Sequence, residues 1–299
     1  MEEIIFDEAF MQQLSRLQMA ISLKLHEGMQ GGRKSSAKGS SLEFSDFREY
    51  EPGDDFRRID WTAYGRLDKL FVKVFMEEKE ALFNLFVDTS KSMGFGSPSK
   101  GKTSLQMVAA LAYIIMARQD KVNIRLLGEA SNAAFTEIKV NQGTGKAGFH
   151  QMLTNLSDTS FSSSDNICDQ LLRAPIQAKG VSIIFSDFLF QEGLASLEKA
   201  LSYLRYKKQH IILVQVLWKE EREPEDVGDF EFIDSETGGK VRLSLNPKML
   251  KAYKMRLQEY RNQLETLARK YNTKVVMISA ESDIETIILK DFYEKQIVF

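Results

Sequence analysis

The sequence predicts an α/β fold built on a doubly wound, mostly parallel sheet, with an N-terminal extension and a small β-hairpin insertion. Three observations carry that reading. From Ala81 onward, short apolar runs alternate regularly with amphipathic stretches, the pattern of strands joined by crossover helices. The runs 81–87, 181–185 and 211–217 are nearly continuous in apolar residues, as parallel strands covered on both faces are. Aspartates stand at the ends of two of them, Asp88 and Asp187, and a doubly wound sheet binds its ligands at the carboxyl ends of its strands.

Taken in order, the chain opens on a helix from about Asp7 to Leu25, with Phe10, Leu14, Leu17, Ile21 and Leu25 at three- and four-residue steps. The Gly-, Ser- and Lys-rich stretch 28–41 reads as a flexible loop. From Phe44 to Asp68 charges and aromatics intermix without a helix or strand period, and Pro52-Gly53 marks a turn. Strands follow at 70–75 and 81–87, then a helix after Thr103 whose apolar stripe runs through Leu105, Val108, Ala112 and Ile115. Strands at 122–127 and 134–140 precede helices at 149–156 and 166–173. The strand 181–185, a helix over 194–204 and the strand 211–217 continue the alternation. Residues 230–245, centred on Thr237-Gly238-Gly239, form a hairpin candidate. A long helix from Pro247 to Tyr271, the strand 274–278 and a helix after Asp283 complete the chain. Residues 1–75 are thus an N-terminal helix, loop and Arg/Asp-rich segment, and 76–299 the sheet domain carrying the hairpin.

Bulk properties exclude several classes. With 299 residues, 43% hydrophobic and 27% charged, the chain is an ordinary soluble globular protein. A net charge of −2 leaves no basic footprint for nucleic acid. The single cysteine, Cys168, excludes an internal disulfide and a cysteine-rich zinc site, and the three histidines are scattered. No apolar run reaches the roughly 18 to 20 residues of a membrane helix, and Glu2 and Glu3 do not open a secretory signal. The expected location is cytoplasmic.

Asp88-Thr89-Ser90-Lys91-Ser92 turns the chain away from a buried strand. A carboxylate and two hydroxyls at alternating positions can face one small volume, and suit a hard cation such as Mg²⁺, with Mn²⁺ or Ca²⁺ as alternatives. Neutral hydroxyls leave the ion with residual positive charge, so such a site attracts an acidic side chain from a partner. Asp187, in Ile183-Ile184-Phe185-Ser186-Asp187, is the further ligand expected from another strand end. The competing reading is that both aspartates only cap turns.

A rival lies downstream. Gly96-Ser97-Pro98-Ser99-Lys100-Gly101-Lys102-Thr103 matches the phosphate-loop pattern G-x-x-x-x-G-K-[ST], which would make the protein a nucleotide hydrolase using Lys102 and Thr103. Against it, a phosphate loop springs almost directly from its strand, whereas Asp88 to Phe95 intervene here.

Arg48, Tyr50, Pro52-Gly53-Asp54-Asp55, Arg57 and Ile59-Asp60-Trp61 resemble the R-x-Y-x-P-G-D-D-x-R-x-I-D-W signature of the bacterial family called domain of unknown function 58. The acidic run Glu77, Glu78, Glu80, the DxSxSM loop, Ser186-Asp187-Phe188 and Asp234 to Gly238 follow in the family's order. The resemblance implies a von Willebrand A-like, Rossmann-like domain without catalytic residues. It also implies an adaptor that works with a MoxR-type AAA+ ATPase, or its client, in protein maturation or stress tolerance. Von Willebrand A domains place a threonine ligand before a helix; here Ser162 to Ile167 occupies that stretch, and Ser164 or Asp165 stands in the threonine's place.

The remaining features have plainer readings. The Arg/Asp-rich signature is expected to be a buried or half-buried network, with Trp61 and Tyr64 as packing residues. Leu250, Tyr253, Leu257, Tyr260, Leu264, Leu267 and Tyr271 form a heptad-like stripe, expected to pack on the sheet in preference to self-association. The function expected is a non-enzymatic, metal-dependent binding module. The alternatives are the nucleotide hydrolase and a scaffold whose metal site is unused.

Overall fold

The computed structural model describes residues 5–17, 43–76, 81–128, 135–139, 145–223, 228–233, 239–292, 295 and 297. They fall into two compact units, one within 1–23 and 81–299, the other within 24–80.

Helix α1 (8–17) belongs to the larger unit. Asp7 opens it by accepting from Phe10 N at 2.8 Å, and Phe10, Leu14 and Leu17 bury its apolar face in the core. The N-terminal helix therefore goes with the sheet and not with the Arg/Asp-rich segment. The predicted loop 28–41 and the acidic run 77–80 lie outside the described residues.

In the smaller unit, β1 (Glu43–Glu49) pairs antiparallel with β2 (Phe71–Met76), and α2 (Trp61–Leu67) lies between them in the chain. The sequence reading of an irregular 44–68 segment is corrected here. A register shift between Phe44 and Asp46 breaks the two-residue period that would have revealed the strand. Asp60 caps α2, accepting from Thr62 N at 2.9 Å and Ala63 N at 3.1 Å. The packing roles expected of Trp61 and Tyr64 are not observed. They are 63% and 42% exposed and meet each other edge to face, because α2 buries none of its residues. Arg48 pairs with Asp54 at 2.7 Å at the surface, so that part of the signature is a solvent-facing pair and not a buried network.

The larger unit continues with β3 (Leu82–Asp88), α3 (Lys100–Ala117), β4 (Lys121–Leu127) and β5 (Phe135–Lys139). Helices α4 (Gly145–Ser157) and α5 (Ile167–Arg173) lead to β6 (Gly180–Ser186), α6 (Ala195–Tyr206) and β7 (Gln209–Leu217). A short α7 (Lys219–Arg222) precedes β8 (Gly228–Ile233) and β9 (Lys240–Leu245), which form the expected hairpin. Its turn, with the motif Asp234 to Gly238, lies outside the described residues. Helix α8 (Pro247–Lys270) and β10 (Lys274–Ser279) follow, then a helical stretch over Ile284–Phe292. No described helix is long and apolar enough to cross a membrane.

Six strands form one sheet in the order β10-β7-β6-β3-β4-β5, and only β5 runs antiparallel to its neighbour. The α/β class with a mostly parallel sheet is therefore observed. Strand alternation feeds two cores. Leu85, Val87, Ile183 and Phe185 join α1, α3 and α4 on one face, while Phe86 and Ile184 join α5 and α6 on the other. At roughly 25 cal/mol per Å² of apolar area buried, these layers supply the main drive for folding.

The strand order also positions a cleft. From β3 the chain steps to β4 and β5 on one side, then returns to β6 and grows through β7 and β10 on the other. The carboxyl ends of β3 and β6, at Asp88 and Ser186, are therefore the point where the order reverses and the loops part.

Candidate metal centre

The loop after β3 is clamped from two sides. Thr89 donates its N–H and hydroxyl to Leu127 O at the end of β4, at 3.0 and 2.6 Å. Ser163 N donates to Thr89 O at 3.1 Å, and Lys91 N donates to Ser163 O at 3.1 Å. Gly128, at φ +107°, permits this closeness, since a Cβ there would stand 2.4 Å from Ser163 Oγ and 2.9 Å from Thr89 Oγ1.

Within the clamp, Asp88 Oδ1 accepts from Ser90 N at 2.9 Å and Oδ2 accepts from Ser186 Oγ at 2.6 Å. Ser90 Oγ lies 3.0 Å from Ser92 Oγ. Asp88 and Ser90 are buried and Ser92 half-buried. Asp187 accepts from Leu189 N at 3.2 Å on Oδ1 and from Lys100 Nζ at 2.9 Å on Oδ2. The same ammonium donates to Glu221 Oε1 at 2.9 Å.

These groups line a cavity of about 610 Å³ at the switch point. All of the sequence-nominated residues meet there: Asp88, Ser90, Ser92, Asp187, and both Ser164 and Asp165. Ser164 and Asp165 are exposed, held by a turn in which Asp165 N donates to Ser163 Oγ at 3.1 Å. Asp165 Oδ2 accepts from Gln170 Nε2 at 3.3 Å, leaving it anchored but facing the opening. Asp169, Glu192 and Glu221 add negative charge to the lining, whose only basic member among the described residues is Lys100. Phe95, Leu189 and Phe190 give part of the lining an apolar character.

Electrostatics follow from that crowding. Burial, and then the charge of Asp187, push the Asp88 carboxyl up to about 6, against the hydrogen bonds from Ser186 and Ser90. Burial alone would lower the Lys100 ammonium, but Asp187 and Glu221 outweigh it and hold the group above its ordinary value.

Sequence reasoning missed Lys100, Glu221 and Ser186. The phosphate-loop match drew attention to Lys102 and Thr103, yet neither serves the cavity. Thr103 Oγ1 donates to Ala280 O at 2.7 Å, and Lys102 Nζ lies 3.9 Å from Asp7. Gly101 is already helical, and a Cβ there would strike the Phe161 ring at 2.2 Å, so the segment forms no open cradle of amides for phosphate. Ser99 was the available signal. As N-cap, accepting from Lys102 N at 3.1 Å, it starts α3 earlier than expected and puts Lys100 on the first turn, beside the strand ends. Among the described residues there is no cage of three or more His, Cys, Asp or Glu side chains, so any ion here would rely on hydroxyls.

The model of a family described as a protein of unknown function, DUF58, matches residues 46–263, spanning the Arg/Asp-rich signature, the DxSxS loop and Asp187. The chain belongs to the DUF58 family. Other proteins similar to this DUF58 chain include uncharacterized proteins of Mycobacterium tuberculosis and Mycobacterium bovis. Each is 27% identical over 241 residues, covering 79% of this chain and 74% of the relative. Among solved structures, a conserved hypothetical protein BatB from Bacteroides thetaiotaomicron aligns at a TM-score of 0.43 and 12% identity, covering 73% of this chain and 100% of that one. An aerotolerance-related membrane protein from Bacteroides fragilis aligns at 0.42 and 13%, with the same coverage.

Proposed function

We propose that this DUF58 chain is a von Willebrand A-like binding module that captures a protein partner through a divalent cation, and that it is not an enzyme. The observation that carries the reading is the convergence of Asp88, Ser90 and Ser92 at the switch point, with two hydroxyls beside one buried carboxylate. The donor set fits a hard ion. Oxygens alone are offered, and Asp88 sits in a field that already favours binding positive charge. Asp88, Ser90 and Ser92 would hold Mg²⁺, Mn²⁺ or Ca²⁺, with Ser164 or Asp165 supplying the further ligand from across the cavity. Asp187 is ion-paired with the Lys100 ammonium, so its contribution is to the field and to fixing that lysine. When bound, the ion supplies an electrophilic seat for an acidic side chain. The partner the family resemblance points to is a MoxR-type AAA+ ATPase or its client.

Immobilised protein should retain a MoxR-type ATPase in Mg²⁺ and release it in chelator, and Asp88→Ala should abolish retention while its melting profile stays cooperative. Equal retention with and without chelator, or by Asp88→Ala, would sink the proposal.

A further inference from the structure

Lys100 stands where helix electrostatics and burial both disfavour a cation. It is the first residue of α3, at the positive end of the helix dipole, and its side chain is 3% exposed. It is kept there by Asp187 and Glu221, each at 2.9 Å. Glu221 is itself held in place, because its Oε2 accepts from Trp218 N at 2.8 Å. The Trp218 ring lies so close to Gly96, at φ +100°, that a Cβ there would come within 2.2 Å of it. The first turn of α3, the end of β6 and α7 therefore meet on one ammonium. An arrangement that local rules oppose at this many points marks a functional role more than a packing one.

We propose that Lys100 is a built-in counter-cation of the metal centre, competing with the divalent ion for the field of Asp88, Asp187 and Glu221 and holding metal affinity down. The inference rests on the metal-binding reading above. Without the ammonium, the charges of Asp187 and Glu221 would be unpaired in the cavity, and their field would add to that of Asp88 in drawing an ion in. With it, both carboxylates are shared with nitrogen, and the ion is left with Asp88 and neutral hydroxyls. Two cations in one partly desolvated cavity also repel directly, by an amount that grows as water is excluded. The result is an ion that binds weakly and keeps charge for an incoming acidic group.

The test is titration of the intact chain with Mn²⁺, followed by calorimetry, for the wild type, Lys100→Met and the double variant Lys100→Met/Glu221→Gln. Thermal melting of each protein runs alongside. Lys100→Met should bind Mn²⁺ at least tenfold more tightly than wild type. The double variant, which buries one unpaired carboxylate fewer, guards against misfolding and should also bind more tightly than wild type, by a smaller factor. A purely structural lysine predicts a lower melting temperature with unchanged or weaker binding. If the folded variants bind no more tightly than wild type, the counter-cation role is overturned while the metal centre stands. If none of the three proteins binds Mn²⁺, the metal reading falls and takes this inference with it.

Discussion

At the scale of single residues, Asp88 sits in an environment that opposes its charge. Its folded carboxyl titrates near 6 against an ordinary 3.8, so ionised Asp88 costs the metal-free fold stability. The cost is absent below about pH 4, grows as pH rises through the folded value, and is complete above about pH 7. Asp88→Asn, which keeps an acceptor for Ser90 N, should therefore melt higher than wild type at pH 7.5 in chelator, by up to about 3 kcal/mol of stability. The gap should close as pH is lowered toward 4, and an unchanging gap would contradict the electrostatic origin. Adding Mn²⁺ at pH 7.5 should raise the wild-type melting temperature and leave Asp88→Asn where it was. Asp88, Ser90, Ser92 and Asp187 were legible in the sequence because each lies at or just beyond the end of a strand with an obvious apolar run. Lys100 and Glu221 were not. The role of Lys100 depends on Ser99 capping α3 earlier than its apolar stripe begins, and that of Glu221 on how Trp218 seats α7, a tertiary matter.

At the scale of elements, α8 shows how a readable stripe acquires two different roles. Leu257, Leu264 and Ala268 are buried, with Leu267 and Tyr271 partly covered, whereas Tyr253 and Met255 are 47% and 58% exposed. The heptad-like spacing is real, but only its C-terminal part meets the core beneath α6 and β7. Leu264→Ala should cost about 2–5 kcal/mol in chemical denaturation, while Met255→Ala should stay within about 0.5 kcal/mol. Comparable costs at the two positions would mean that the exposed half has a partner within the fold. The strands β3, β6 and β7 were plain in the sequence because burial on both faces leaves no polar interruption. The strand β1 was hidden, because the register shift between Phe44 and Asp46 interrupts its two-residue repeat.

At the scale of the whole molecule, the two units differ sharply in what holds them. Among the described side chains of 43–76, the apolar ones that are buried are Ile59 and Val72, whereas the sheet unit has a full core on each face. Cooperative unfolding as one body is therefore not expected. Amide exchange read by mass spectrometry should show peptides from β1, α2 and β2 exchanging at least tenfold faster than those from β3, β6 and β7. Equal protection would show that the smaller unit shares the stability of the sheet. The α/β class was legible from alternation alone, but the division into units was not, because α1 lies far from the sheet in sequence and joins it only through Phe10, Leu14 and Leu17. The reversal of strand order has a further consequence for how such a chain can vary. The cleft lies between the two innermost strands, and each wing of the sheet ends at an edge remote from it, at β5 and β10. Ornament can accumulate there, as the hairpin of β8 and β9 does in the chain between β7 and β10, outside the lining of the cleft. The edges of the sheet are thus free to change while the strand ends at the cleft stay where they are.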